Sequence, residues 1–188
     1  MLKKILAGSA LASVLFAGVV AAQPDTFHIE RSTTVRTAPE HVFSQVNDFR
    51  AWTAWSPWEK KDPAMKRSYA GPPAGVGARY TWAGNSEVGE GRMTIETSDA
   101  PSKIRIKLEF LAPFAATNEA TYTFARVREG TRVTWSMDGK RGFVSKAFGL
   151  FLDAESFVGP DFERGLAAMK SAAEANAANA ARTANATP

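Results

Sequence analysis

The sequence predicts an α+β domain in which a curved antiparallel sheet of about seven strands is crossed by a long C-terminal helix, with two short helices after the first strand. Three observations predict it. Apolar and polar residues alternate with period two in stretches between Phe27 and Met137, a helix-initiating segment stands at Thr37-Ala38-Pro39-Glu40, and an apolar stripe at helical spacing runs from Phe143 to Met169. Successive alternating strands joined by short turns imply an antiparallel meander. A helix with one apolar stripe must bury it, and the inner face of such a sheet is the available surface.

Phe27, Ile29 and Val35 mark the opening strand. It ends near Thr37, where Thr37 and Glu40 form the pattern of a capping box with Pro39 inside the first turn. Val42, Phe43, Val46 and Phe49 then fall at helical spacing, and Arg50 to Pro57 reads as a second short helix that sets Trp52 and Trp55 against the sheet. Further along, Ile104, Ile106, Leu108 and Phe110 alternate with Lys103, Arg105, Lys107 and Glu109, the mark of a strand with one wet face. Tyr80 and Trp82, Met93 and Ile95, Tyr122 and Phe124, and Val133, Trp135 and Met137 repeat the pattern. Gly84-Asn85, Asp99-Ala100-Pro101-Ser102, Ala112-Pro113 and Glu129-Gly130 supply the turns.

The last helix is expected to begin near Gly142 or Phe143. Phe143, Ala147, Leu150, Phe151, Ala154, Phe157 and Val158 form its stripe, continued by Phe162, Leu166 and Met169. Gly159-Pro160 predicts a kink or restart, because proline lacks the donor and clashes with the preceding turn, leaving Asp161 and Glu163 near a new N-terminal end.

Both ends of the chain read differently from the middle. Lys3 and Lys4, an uncharged apolar run from Ile5 to Val20, and Val20-Ala21-Ala22 before Gln23 fit a signal peptide over residues 1–22, or an N-terminal membrane anchor. Either places the folded part outside the cytosol: the periplasm or the medium for a cleaved signal, the inner membrane for an anchor. The domain is expected over 25–172, and the Ala/Asn-rich stretch 173–188 reads as a disordered tail. Without Lys3 and Lys4, 21 basic residues stand against 19 acidic ones, and the net charge falls from +4 to +2. No clustered basic face is visible, which argues against nucleic acid as a partner. The chain has no cysteine, which excludes disulfides and thiolate chemistry.

Between Asp48 and Met93, Trp52, Trp55, Trp58, Tyr69, Tyr80 and Trp82 are interspersed with Gly71, Gly75, Gly77, Gly84, Gly89 and Gly91. Together with Trp52-Thr53-Ala54-Trp55-Ser56-Pro57-Trp58, Gly75-Val76-Gly77, Val88-Gly89-Glu90-Gly91-Arg92-Met93, and Thr131-Arg132-Val133-Thr134-Trp135, this pattern resembles the polyketide cyclase/dehydrase-like branch of the START/Bet v 1 (SRPBCC) superfamily. The resemblance spans Phe27 to Lys170. It implies a helix-grip fold that encloses a small apolar ligand between sheet and helix, and it leaves the activity open, because cyclases, lipid carriers and stress proteins share the container.

No nucleophile elbow, phosphate-binding loop or zinc-binding helix is present, and His28 and His41 fall on different elements, so no metal or organic cofactor is expected. Trp82, Phe110, Tyr122, Trp135, Phe151 and Phe157 are the residues expected to face inward and line a cavity. Arg92 and Arg132, with Arg105, are candidate anchors for an anionic head group at its mouth, while Trp52, Trp55 and Trp58 read as packing anchors. The carboxylates, including Glu87, Glu90, Glu109, Asp153 and Glu155, read as solvated or cross-strand charges. The expected function is an exported, monomeric or weakly dimeric binding protein for a small hydrophobic or amphipathic molecule. A cofactor-free cyclase or dehydrase acting on such a molecule is the alternative, and a scaffold with a filled interior is the third reading.

Overall fold

A computed structural model of the protein describes residues 13–150 and 154–185. Residues 13–21 are helical (α1), and among the described residues no helix is long and apolar enough to cross a membrane. The expected signal or anchor falls partly on residues 1–12, which lie outside the described residues. Then follow β1 (Thr26–Val35), α2 (Pro39–Asn47), a 3-10 helix (Phe49–Ala54), α3 (Pro57–Lys61), β2 (Lys66–Ala70), β3 (Arg79–Ala83), β4 (Glu90–Asp99), β5 (Lys103–Ala112), β6 (Ala116–Val127), β7 (Gly130–Lys140), α4 (Phe143–Gly149) and α5 (Ala154–Asn185).

The strands form one antiparallel sheet in the order β1-β7-β6-β5-β4-β3-β2. A meander from β2 to β7 leaves the far edge of β7 open, and β1 pairs there, with Ile29 opposite Met137 and Thr33 opposite Val133. Register shifts in β4 at Glu90/Gly91 and Ile95/Thr97 sharpen the local twist, which bends the sheet around its inner face. That face carries Ile104, Ile106, Tyr122, Phe124, Val133 and Trp135, all buried. Helix α5 lies along β1 and over the inner face, burying Phe162, Leu166, Met169 and Ala173 at successive helical steps. From β1, Arg31 bonds Glu163 (2.8 Å) and Glu155 (3.0 Å), tying strand to helix.

Four expectations require correction. Thr37 and Glu40 do not make the capping box: the N-cap is Ala38, without a side-chain bond, and the Thr37 carbonyl instead accepts from Thr131 Oγ1 at 2.7 Å. The second short helix is a 3-10 helix over Phe49–Ala54, started by Asp48 accepting from the Arg50 N–H at 2.8 Å, with α3 following it. The break in the C-terminal helix falls at Leu150, the C-cap of α4, and not at Pro160. Pro160 sits inside α5. Finally, α5 runs through Ala173, fully buried, to Asn185, so residues 173–185 are helical where a disordered tail was expected. Alanine is the best helix former, and the small Ala173 fits against the core.

Helix α4 departs from its expected stripe at two places. Phe143 is exposed, whereas Ala147 and Leu150 are half-buried and Lys146, expected outside the stripe, is buried and bonded to Asp25 just ahead of β1. That ion pair turns the charged side of α4 inward.

Candidate functional site

Between the inner face of the sheet and α5 lies a cavity of about 340 Å³. Its floor comes from alternating positions of adjacent strands: Tyr80 and Trp82 on β3, Met93 on β4, Leu108 and Phe110 on β5. Ala120 and Tyr122 on β6 and Trp135 and Met137 on β7 complete it. One wall is the segment Trp52 to Met65, which contributes Trp52, Ser56, Trp58, Glu59 and Lys61. The other is α5, through Phe157, Val158, Asp161 and Phe162.

Close backbone approach makes this geometry possible. At Gly91 a Cβ would stand 2.4 Å from the Trp82 ring, so only glycine lets that ring lie across β4. At Gly165 a Cβ would stand 2.8 Å from the Trp135 ring, so α5 presses against the sheet wall there. Phe162 stacks on Trp135 with centroids 3.9 Å apart and planes 10° apart, and Trp135 stacks on Tyr122 at 5.0 Å and 25°. Trp52 and Trp55 meet the Tyr122 ring edge-on.

The polar groups at the cavity are held in two clusters. Glu59 accepts from Arg67 Nε at 2.8 Å and from Tyr80 Oη at 3.3 Å. Burial, and then the charge of Glu59, push the Tyr80 hydroxyl pKa well up, so Tyr80 stays a neutral donor. Asp161, 5 % exposed, accepts from Lys61 Nζ at 2.6 Å through one oxygen and from Arg164 through the other. Deeper, burial alone pushes the Tyr122 hydroxyl up. Neither Tyr122 Oη nor Trp135 Nε1 has a hydrogen-bond partner, although both are sealed from solvent. The other buried tryptophans are satisfied: Trp52, Trp55 and Trp82 donate to the carbonyls of Val46, Gln45 and Val88 at 3.1, 2.9 and 3.1 Å.

A second recess of about 580 Å³ lies between α3 and α5 against Pro57, Lys60, Arg164 and Ser171. It is more open to solvent and lacks the aromatic enclosure, so the sheet–helix cavity is the candidate site. Among the described residues no group of three or more histidine, aspartate or glutamate side chains is placed to hold a metal ion. His28 bonds Asp138 at 2.7 Å on the surface, and His41 is exposed.

Of the residues expected to face inward, Trp82, Phe110, Tyr122, Trp135 and Phe157 come together around the cavity. Phe151 lies outside the described residues. Phe157 is 61 % exposed while lining the void, which puts it at the mouth. The arginine anchors are a correction. Arg92 alternates with the buried Gly91 and Met93, so it points to the outer face, where it bonds Glu109 at 2.7 and 3.0 Å. Arg132 is exposed between buried Thr131 and Val133, and Arg105 lies between Glu96 and Glu119 at 3.8 and 3.6 Å. Strand parity alone was enough to turn Arg92 and Arg132 away from the face on which their neighbours Met93 and Val133 are buried.

Trp52 and Trp58, read as packing anchors, also line the cavity. Tyr80, Glu59, Lys61 and Asp161 were missed. Tyr80 was recoverable, being two residues before Trp82 on the same strand face. Asp161 was not: its reading as a helix-start acid depended on a break at Pro160 that does not occur.

The family described as polyketide cyclase/dehydrase and lipid transport matches residues 26–174. No curated protein matches the chain. Among solved structures, the di-domain ARO/CYC protein StfQ of the steffimycin biosynthetic pathway is 13% identical with a TM-score of 0.59, over 81% of this chain and 52% of its own. A protein from Chromobacterium violaceum is 15% identical with a TM-score of 0.54, over 80% and 99%. The Aha1 dimer from Colwellia psychrerythraea is 13% identical with a TM-score of 0.56, over 79% and 96%. At such identities these likenesses speak for the fold alone.

Proposed function

The chain belongs to the polyketide cyclase/dehydrase and lipid transport family, and on that premise we propose that it binds one small, mainly apolar molecule between sheet and α5 and carries it outside the cytosol. The observation that carries the reading is the cavity of about 340 Å³ walled by Trp52, Trp82, Phe110, Tyr122, Trp135 and Phe162. Its volume lies at the low end of the roughly 300–1,000 Å³ of small-molecule sites and equals the space of about eleven waters. That space suits one compact ring system or a short chain. The export signal read from residues 1–22 supports an extracytosolic site of action.

The alternative is a cyclase or dehydrase, which the family description also covers, with Tyr80 the phenol in the cavity lining. Against it, both oxygens of Glu59 and both of Asp161 are occupied by Arg67, Tyr80, Lys61 and Arg164, leaving no free base among these groups.

The test is to purify the protein from its native compartment, weigh it under non-denaturing conditions, and identify any molecule released on unfolding. A recurring compact apolar molecule supports carriage. Recovery of the protein empty, together with failure to take up any apolar probe, overturns it. The mass of the mature N-terminus tests export: a chain that begins at Met1 in the soluble cytosolic fraction refutes that part.

A further inference from the structure

We propose that the end of the domain at which the cavity opens docks on a lipid bilayer surface through exposed apolar side chains, with the mouth turned toward the lipid. The proposal goes beyond the binding reading and does not depend on what the cavity holds. Strand register fixes which segments share that end. The start of β1 pairs with the end of β7 (Thr26 opposite Lys140), the start of β6 with the end of β5 (Ala116 opposite Phe110), and the end of β5 with the start of β4 (Ala112 opposite Glu90). Helix α4 follows directly from β7 and is tied to the segment ahead of β1, where Lys146 bonds Asp25 and the Arg141 N–H donates to the Asp25 carbonyl at 2.7 Å. On these segments Leu111, Phe114, Phe143, Val144 and Phe148 are all more than half exposed, Phe114 at 73 %. Phe157 at the mouth and Glu87 of the β3–β4 connection place the opening of the cavity at the same end. Val76, equally exposed, stands on the β2–β3 connection at the opposite end.

Three features identify the occupant as lipid. A contiguous exposed apolar surface marks an interaction site, and a protein partner would need a shaped recess to fill. Leu111, Phe114, Phe143, Val144 and Phe148 line neither recess described above; they project, and a bilayer accepts projecting side chains without complementary shape. The uncharged run from Ile5 to Val20 also enters the fold at this end. Its described part, α1, has Val20 buried but exposes Val14, Leu15, Phe16 and Val19, and it leads through Asp25 into β1. A helix that is apolar on every side needs an apolar medium, and for those four side chains the fold does not supply one. Finally, the charges at this end offset one another: Lys140 and Arg141 stand against Glu87 and Glu90, and Lys146 is paired with Asp25. The contact is therefore driven by buried apolar area and does not require an anionic lipid.

Because the chain has no cysteine, one introduced cysteine takes a polarity-sensitive dye at a single site. Phe114→Cys and Phe148→Cys report on the proposed face and Val76→Cys on the opposite end, each in the protein as isolated from its native compartment, with the N-terminus it carries there. All three positions are exposed, so the substitutions leave the core intact. The probe is a phosphatidylcholine vesicle containing nitroxide-labelled lipid. The expected result is a blue shift at positions 114 and 148 with loss of about half or more of the emission, while position 76 stays as it is in water. Reading site by site separates docking of this face from tethering by the N-terminal segment, which would leave position 114 in water. Equal quenching at 76 and 114, or none at 114 and 148, overturns the proposal. So does a response confined to vesicles containing phosphatidylglycerol and abolished by salt, which would make the contact electrostatic. A blue shift that grows with protein concentration in the absence of vesicles assigns the face to a second copy of the chain and overturns it as well. None of these outcomes bears on the contents of the cavity, so the binding reading stands or falls by its own test.

Discussion

Replacing Tyr122 by phenylalanine should stabilise the empty protein, the opposite sign to an ordinary core truncation. Tyr122 is fully buried and its hydroxyl has no partner. A polar group left unsatisfied in an apolar interior costs about 1–3 kcal/mol, and the substitution removes it. Against this stands the loss of one oxygen's dispersion contacts, about 0.1–0.2 kcal/mol for each of a few neighbours, under 1 kcal/mol in all. The ring itself, packed edge-on against Trp52 and Trp55 and stacked on Trp135, is retained. The net expectation is a gain of about 1 kcal/mol, which for a chain of this size raises Tm by about 2–4 °C. Urea unfolding followed by tryptophan fluorescence, with calorimetry as a check, reads the change on protein stripped of ligand. A loss of 1 kcal/mol or more at unchanged m-value would show that the hydroxyl is satisfied in solution, and the argument for an orphaned donor would fail.

Three further outcomes follow from the geometry. Gly165→Ala gains about 1 kcal/mol of helix propensity, but its Cβ would stand 2.8 Å from a Trp135 ring confined between Phe162 and Tyr122; overpacking of about 1–3 kcal/mol should win, and a rise in urea midpoint would refute it. Phe162→Ala removes a ring that is 1 % exposed and stacked on Trp135, and should lower unfolding free energy by about 3–5 kcal/mol; less than 1 kcal/mol would mean that α5 does not grip the sheet through this residue. On the outer face, Arg92 and then Lys107 bond Glu109 and hold its pKa at about 2, below the ordinary 4.5. The unfolded chain therefore binds this proton first, so the contribution is complete above about pH 4.5 and is lost as pH falls toward 2. Glu109→Gln should show a shallower fall in urea midpoint between pH 5 and pH 2.5 than wild type, and parallel curves would refute the pairing.

The sheet was legible because parity on a strand is a local property: Ile104, Ile106 and Leu108 declare one face wherever the chain goes next. The helix was legible from Phe162, Leu166 and Met169, but its ends were not. Ala173 is fully buried in the core, and nothing in an alanine-rich run announces that. Phe143 misled for the opposite reason: its spacing fits a buried stripe, yet α4 is held with Lys146 turned in toward Asp25, and Phe143 is left exposed. The cavity's aromatic lining was readable residue by residue, since Trp82, Phe110, Tyr122 and Trp135 all lie on inward parity. Its polar lining was not. Glu59 and Lys61 stand in a charged run that looks solvated, and only the fold reveals that Arg67 and Asp161 pair with them.

Those concealed pairs decide what the interior asks of a ligand. Two of the carboxylates in the cavity lining, Glu59 and Asp161, are already matched by Arg67, Lys61 and Arg164, so those two neither attract a further cation nor offer a free base; Glu87 is the third carboxylate of the lining. What the rest of the wall offers a guest is apolar area from Trp52, Trp82, Phe110 and Met93, so the affinity of a guest that fits scales with the apolar surface it buries there.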